Sequence, residues 1–207
     1  MVRARLVPTI RFVIVGWRKR RRRYQHCFVC NAPIAPIKCI TVPEAASKPR
    51  IALGADHAGF HLKEIVKKFL TDAGYVCDDM GTSSEESVDY PDFARAVAER
   101  VSSGADELGI LACGTGIGMA IAADKVPGVR AANAFDEMTA RLAREHNDAN
   151  VLALGARILE DSAAIEVVRS FLASQFAGGR HQRRIDKISE MDQAYTHGVT
   201  FKNAAKS

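Results

Sequence analysis

The chain has 207 residues, of which 47% are hydrophobic, and its formal net charge is +5. This length suits one domain of ordinary size with an appended segment, and the apolar content is enough for a proper core. No run of eighteen apolar residues occurs, and the longest candidate, residues 12–17, is far too short to cross a bilayer, which argues against a membrane protein.

The positive charge is concentrated in the first quarter of the chain. Residues 1–49 contain eleven Lys and Arg and one acidic residue, whereas residues 50–207 contain eighteen Lys and Arg and twenty-three acidic residues. The basic run at residues 18–23 contributes much of this asymmetry. Because the body of the chain is mildly acidic, its charge does not favour nucleic-acid binding.

The basic N-terminal segment matches none of the common targeting or metal-binding patterns. Its basic run follows a short apolar stretch, which is the wrong order for a secretory signal. Cys27 and Cys30 form half of a zinc-binding pattern, without a second pair at finger spacing. The arginine content fits an organellar transit peptide only loosely. We therefore interpret residues 1–49 as a disordered extension or as non-native sequence translated upstream of the domain.

From residue 50 onward, strand and helix patterns alternate. Short apolar runs predict five strands, at residues 50–54, 75–79, 107–112, 128–133 and 150–154. Helical spacing of apolar residues, bounded by signals such as Gly74 and Pro91, predicts six helices, at residues 58–73, 91–103, 116–125, 136–147, 161–174 and 181–194. Such alternation with short connections requires a parallel sheet covered on both faces. The predicted fold is a doubly wound, Rossmann-like α/β domain of three layers over residues 50–194, with a C-terminal tail at residues 195–207.

The most informative stretch is the glycine loop Cys113-Gly-Thr-Gly-Ile-Gly118, which follows the third predicted strand. Its glycines, Gly114, Gly116 and Gly118, let the backbone turn tightly and approach a ligand closely. The free N–H groups and the dipole of the following helix favour a phosphate or an oxyanion, and they favour the thiolate form of Cys113. A lone cysteine at a strand end is more often structural than reactive. The loop by itself leaves both interpretations open.

Two further polar clusters follow other predicted strands. Asp56 and His57 follow the first strand and can form a hydrogen-bonding or proton-transferring pair, although Asp56 could equally cap the next helix. Arg157 follows the fifth strand. Since ligands of open parallel sheets bind at the carboxyl ends of the strands, we expect both clusters and the glycine loop to meet at one edge.

Two more groups of polar residues stand at helix ends. His146 and Asn147 close the fourth predicted helix, where an isolated histidine more often serves only to interact with the helix dipole. Arg180 and Arg184 lie four residues apart at the start of the last helix, where an ordinary solvated basic face is the alternative. The glycine pair at residues 178–179 allows this helix start to approach a ligand, which favours a phosphate clamp.

The glycine loop differs from a dinucleotide fingerprint in two respects. Met119 stands where the third glycine of that motif belongs, and the loop follows the third strand instead of the first. Asp136, at the end of the next strand, leaves the dinucleotide alternative weakened but open. Taken together, the polar residues predict proton chemistry on a small anionic substrate.

Several separated motifs occur in a characteristic order, namely Gly54–Gly59, Lys63, Gly81–Thr82, Asp89–Pro91, Cys113–Gly118, His146–Leu152 and Gly178–Gln182. Over about residues 50–194 the chain resembles the type B ribose-5-phosphate isomerases and their galactose-6-phosphate isomerase relatives. The resemblance implies interconversion of ribose 5-phosphate and ribulose 5-phosphate, a step of the pentose phosphate pathway, through an enediolate and without metal or cofactor. There are two alternatives. The chain could isomerise galactose 6-phosphate or allose 6-phosphate, or it could be a non-catalytic phosphate or nucleotide sensor of the same fold.

The resemblance also implies a role for each site residue. Cys113 is the base that moves a proton between C1 and C2, and Thr115 and His146 open the sugar ring with the help of Asp56. Ile117 stands where one branch of the family has a glutamate base, so that the thiol must take the proton. The amides of the loop hold the oxyanion. The substrate-binding set is Asp56, His57, Gly114, Thr115, Gly116, Ile117, Gly118, Asn147, Arg157, Arg180 and Arg184.

The resemblance further implies a homodimer or homotetramer whose active sites use residues of both subunits. We expect no nucleic-acid partner and no membrane partner. We also expect a cytoplasmic protein, since Cys77 and Cys113 are typical of reduced cytoplasmic thiols.

Overall fold

The computed structural model describes residues 48–196. The predicted extension over residues 1–49 and the predicted tail over residues 195–207 lie almost entirely outside the described residues, so these two domain boundaries stay predictions. No helix within residues 48–196 has both the length and the apolar character that a membrane crossing requires.

Five strands and six α-helices alternate along the described part of the chain. The strands are β1 (Ile51–Ala55), β2 (Cys77–Asp79), β3 (Leu108–Cys113), β4 (Ala131–Asn133) and β5 (Val151–Gly155). The helices are α1 (Phe60–Asp72), α2 (Tyr90–Ser102), α3 (Ile117–Ala123), α4 (Glu137–Asn147), α5 (Asp161–Ala173) and α6 (Gln182–Thr196), with a short 3₁₀ turn at Gly179–His181 before α6.

All neighbouring strands pair in parallel, in the order β2-β1-β3-β5-β4. Every residue of β1, β3 and β5 is buried, which explains why these segments are almost continuously apolar. The order reverses between β1 and β3, because β2 lies outside β1 whereas the later strands lie beyond β3. The switch point of the sheet therefore lies between the carboxyl ends of β1 and β3, where ligands of this architecture bind.

Helices cover both faces of the sheet. On one face α1, α4 and α5 share an apolar cluster that includes Leu62, Ala140 and the fully buried Phe171. On the other face α2 and α3 form a second cluster that includes Val97 and Met119. Burial of a side chain as large as Phe171 contributes about 2–3 kcal/mol to folding. The three-layer, doubly wound α/β fold predicted from the sequence is confirmed.

The edge strands β2 and β4 are shorter than predicted, because glycine turns occupy their expected first residues. Gly74 has a φ of +78°, and the N–H of Tyr75 returns to the carbonyl oxygen of Leu70, so Tyr75 belongs to the turn that closes α1. Gly128 has a φ of +83° in the corresponding turn before β4. As a result β2 begins at Cys77 and β4 at Ala131 instead of at residues 75 and 128.

Candidate active site

Cys113 is the last residue of β3, at the switch point of the sheet. Its side chain is 5% exposed, and its Sγ accepts the backbone N–H of Gly116 at 3.2 Å. This hydrogen bond bends the glycine loop back over the thiol and directs a backbone donor at the sulfur. Such a donor stabilises negative charge on Sγ.

Gly116 is required by both its backbone conformation and its surroundings. Its φ is +79°, and a Cβ at this position would lie 2.0 Å from Nδ2 of Asn133. The same amide donates to the carbonyl oxygens of Thr115 and Ala153. Asn133 therefore ties the loop to β5, a contact between distant residues that no local pattern in the sequence indicates.

Tyr90 packs directly against the first turn of α3. A Cβ on Gly118 would lie 2.8 Å from Cζ of the Tyr90 ring, so glycine at this position makes room for the ring. Tyr90 lies within the motif Asp89–Pro91, but no pattern in the sequence indicates that its side chain reaches the glycine loop. The structure adds this phenol to the surroundings of the glycine loop.

Asp56 joins β1 to the end of β3. Its backbone N–H donates to the carbonyl oxygen of Ala112, the residue before Cys113, at 3.3 Å. Its buried carboxylate accepts the N–H of Gly59 at 2.9 Å and so holds the start of α1. The alternative that Asp56 caps the helix is wrong, since Gly59 is the N-cap of α1, and the Asp56 carboxylate instead fixes the turn before the helix beside the candidate site.

His57 is linked to the loop that precedes α2. Its Nδ1 accepts the backbone N–H of Val88 at 3.2 Å. In the neutral ring the proton must then be on Nε2, which leaves that nitrogen as a hydrogen-bond donor. The arrangement suits recognition of a phosphate oxygen.

Arg157 covers the glycine loop from the side of β5. Its backbone N–H donates to the carbonyl oxygen of Gly114 at 3.0 Å. Its exposed guanidinium lies 3.3 Å from the position that a Cβ on Gly114 would occupy. The structure therefore brings Asp56, His57, the loop and Arg157 together at the carboxyl edge of the sheet, as the sequence predicted.

His146 and Asn147 lie at the opposite edge of the sheet. The helix α4 starts beyond the carboxyl end of β4 and ends just before the amino end of β5, so its last residues lie at the amino edge. Cys113 pairs with Gly155, the last residue of β5. A five-residue strand spans about 17 Å, so His146 and Cys113 of one chain are too far apart to contact the same sugar.

The beginning of α6 lies at the same amino edge. The N–H of Ala177 donates to the carbonyl oxygen of Glu145, at the end of α4, at 2.9 Å. The rings of His146 and His181 stack with their centroids 4.2 Å apart and an interplanar angle of 9°. His181 is a residue that the sequence reasoning missed, because its contact is with a helix far away along the chain.

Several positive or potentially positive side chains surround His181. Burial, and then the nearby positive charges of His146, Arg180 and Arg184, lower the pKa of His181 below its usual value. Four cationic or potentially cationic side chains thus share a small region. Such a region can bind an anionic group with charge-assisted hydrogen bonds.

The family model described as Ribose/Galactose Isomerase matches residues 51–188. The chain belongs to the Ribose/Galactose Isomerase family. Among its relatives, ribose-5-phosphate isomerase B of Escherichia coli is 44% identical over 144 residues, which make up 70% of this chain and 97% of that protein. The family resemblance stated from the motifs is confirmed.

Solved structures of similar proteins agree with the fold. Ribose-5-phosphate isomerase B of Clostridium thermocellum is 49% identical with a TM-score of 0.70, and the match covers 70% of this chain and 99% of that one. Ribose-5-phosphate isomerase B of Mycoplasma genitalium, solved with bound ribulose-5-phosphate, is 46% identical with a TM-score of 0.68 and covers 70% and 96% of the two chains. The Ribose/Galactose Isomerase region of this chain is thus nearly as long as these relatives.

Proposed function

We propose that this chain is an aldose–ketose isomerase that interconverts ribose 5-phosphate and ribulose 5-phosphate through an enediolate, without a cofactor. The observation that carries the proposal is the Cys113 thiol at the switch point, with the Gly116 N–H directed at its sulfur, in a member of the Ribose/Galactose Isomerase family. The relative solved with bound ribulose-5-phosphate supports this choice of sugar.

In the proposed mechanism the Cys113 thiolate removes the proton from C2 of the open-chain aldose. The electrons of the C2–H bond form the double bond between C1 and C2, and the former carbonyl oxygen O1 takes the negative charge. Backbone amides of Gly114–Gly118 stabilise this oxyanion. The proton of the O2 hydroxyl moves to O1 as the C2 carbonyl forms, and the thiol returns its proton to C1, so that no atom is gained or lost.

The remaining site residues bind the substrate and open its ring. Arg157, Arg180, Arg184 and the Nε2–H of His57 bind the phosphate, for which guanidinium groups offer paired donors. His146 and Thr115 transfer protons in ring opening with the help of Asp56, and Asn147 binds a sugar hydroxyl. Gly114 to Gly118, including Ile117, contact the sugar through their backbone.

We infer that each complete site is formed by two copies of the chain, in a homodimer or homotetramer. The separation of Cys113 and His146 at opposite edges of one sheet supports this inference, because one chain cannot bring both to one sugar. Exposed apolar side chains next to the glycine loop, Ile117, Ile121 and Ile158, offer a surface that a second copy would bury. The free thiols of Cys77 and Cys113 favour a reducing compartment, and we place the enzyme in the cytoplasm.

The test compares Cys113→Ala with Cys77→Ala, a second free cysteine of the described residues, in the full-length chain. We expect wild type to convert ribose 5-phosphate and to exchange the C1 proton of ribulose 5-phosphate with D₂O. Cys113→Ala should lose about a thousandfold in both rates while still binding substrate, whereas Cys77→Ala should keep them.

Several outcomes of the same assay would contradict the proposal. Undiminished exchange in Cys113→Ala would remove the assigned base. Turnover of galactose 6-phosphate or allose 6-phosphate instead of ribose 5-phosphate would reassign the sugar. Thermal stabilisation by NAD or a sugar phosphate without any turnover would identify a sensor.

A further inference from the structure

The helix α4 ends at a residue with an unfavourable backbone conformation. Asp148 has φ +44° and ψ +44°, and no other non-glycine residue between 48 and 196 has a positive φ. Its N–H donates to the carbonyl oxygen of Arg144, which closes the helix. Glycine or asparagine is the usual residue at such a helix end. Unfavourable conformations of this kind persist where the surrounding structure enforces them, often beside functional residues.

Two arginines from different segments of the chain form ion pairs with the Asp148 carboxylate. Nη2 of Arg130 lies 2.8 Å from Oδ2, and Nη1 of Arg144 lies 3.0 Å from Oδ1. The three side chains are between 17% and 34% exposed, so solvent and salt screen these ion pairs only in part. The end of α4 is therefore tied both to its own last turn and to the segment that enters β4.

The same arginines also hold the backbone around the site residues. Nε of Arg130 donates to the carbonyl oxygens of Asn147 and Asp148, each at 3.0 Å. Nη1 of Arg144 donates to the carbonyl oxygen of Ala149 at 2.7 Å. An ordinary helix end needs only a residue that tolerates the left-handed region. The Asp148 carboxylate is not needed for that purpose. Together with Arg130 and Arg144 it forms a network that sets the direction of the Asn147 backbone and of the turn that carries His146.

We propose that Asp148 is a positioning residue, which acts through Arg130 and Arg144 to hold the turn that carries His146 in the orientation that opens the sugar ring. This inference rests on the proposed function, in which His146 takes part in ring opening. Asp148 itself binds the two arginines and does not contact the sugar. Its loss should therefore impair the ring-opening step selectively.

Ring opening and proton transfer can be measured separately. Ribose 5-phosphate is mostly a closed ring and must open before its C2 proton can be removed. Ribulose 5-phosphate carries its phosphate on the C5 oxygen, cannot close a five-membered ring, and enters the site as an open chain. Exchange of its C1 proton with D₂O thus reports proton transfer without ring opening.

The experiment uses Asp148→Asn, which keeps the size of the side chain and tolerates the left-handed backbone but removes the charge. We expect kcat for ribose 5-phosphate to fall about tenfold, because small displacements of a catalytic group have large effects on rate. Exchange from ribulose 5-phosphate should stay within about twofold of wild type, as no group of the proton-transfer step is moved. Asp148→Gly, which adopts this conformation without strain, should show the same difference and decides the matter if Asp148→Asn does not fold.

The matched control is Arg141→Gln, which removes an exposed ion pair with Glu145 on the same helix. It should change neither rate. Equal losses of both rates in the Asp148 variants would show a merely structural role, and unchanged rates would show no role at all, so either result overturns the inference. A wild-type protein without isomerase activity would instead overturn the proposed function and this inference with it.

Discussion

The two edges of the parallel sheet carry different halves of the proposed site, and they are built in different ways. At the carboxyl edge the groups are a buried thiol and backbone amides, which pack closely around Gly116, and a buried carboxylate that the N–H of Gly59 holds. At the amino edge they are long or aromatic side chains at helix ends, held by ring stacking and ion pairs. In the proposed mechanism the proton moves between C1 and C2 at the carboxyl edge alone, whereas phosphate binding and ring opening need groups from both edges.

The largest expected effect comes from separating the two halves by mutation. Cys113→Ala and His146→Ala should each lose at least about a hundredfold in kcat for ribose 5-phosphate, because each removes a proton-transferring group. When the two variants are unfolded, mixed in equal amounts and refolded together, about a quarter of the wild-type activity should return, since half of randomly formed dimers hold one intact site of two. If activity does not return on mixing, the two-chain site is wrong.

A smaller effect is expected from the phosphate-binding arginines of the amino edge. Arg180→Ala and Arg184→Ala should each raise KM for ribose 5-phosphate about tenfold, which corresponds to about 1.4 kcal/mol of binding, with kcat changed much less. Arg183→Ala, on the same turn of α6, serves as the control and should leave KM unchanged. Steady-state kinetics decides the question, and an unchanged KM in both variants would argue against the clamp.

Two neighbouring carboxylates of β2 allow the stability of the two edges to be compared. Asp79 binds Lys63 in the first turn of α1, after the carboxyl end of β1, whereas Asp78 binds Arg50, the residue before β1. Nζ of Lys63 donates to Oδ1 of Asp79 at 3.0 Å and to Oδ2 at 2.8 Å, and the Lys63 side chain is only 3% exposed. Asp79→Asn should therefore lower the free energy of unfolding by about 2–3 kcal/mol, since it weakens a buried ion pair on one side. Asp78→Asn should cost less, about 1 kcal/mol, because Arg50 and Arg100 are 47% and 33% exposed and can turn to water when Asp78 is neutralised, whereas Lys63 cannot.

Urea unfolding of both variants measures this difference. Equal losses for the two carboxylates would show that burial of the lysine does not control the effect.

The smallest expected effect is the contribution of Asp79 to the pH dependence of the free energy of unfolding. Burial would raise the pKa of Asp79, but hydrogen bonds from Lys63, Lys67 and the N–H of Gly81 together hold this pKa below its usual value. The stabilisation is complete above the unfolded pKa of about 4 and is lost as the pH falls through the lower folded pKa. The free energy of unfolding should thus decrease more steeply below about pH 4 in wild type than in Asp79→Asn. Parallel curves in acid titrations would contradict this assignment.

The sequence by itself determined the order and type of the elements and the residues of the carboxyl edge. Apolar runs and glycine stops depend on neighbours along the chain, and residues that follow parallel strands, such as Asp56, Cys113 and Arg157, necessarily meet at one edge. The same alternation puts His146 at the other edge, because a helix that joins two parallel strands ends at the amino edge of the sheet. Only the tertiary structure decided that the start of α6, with Arg180 and Arg184, lies beside His146, and that His181 and Asn133 belong to the surroundings of the site. Their positions follow from how α4, α6 and β4 pack against distant segments, and such contacts leave no periodic trace in the sequence.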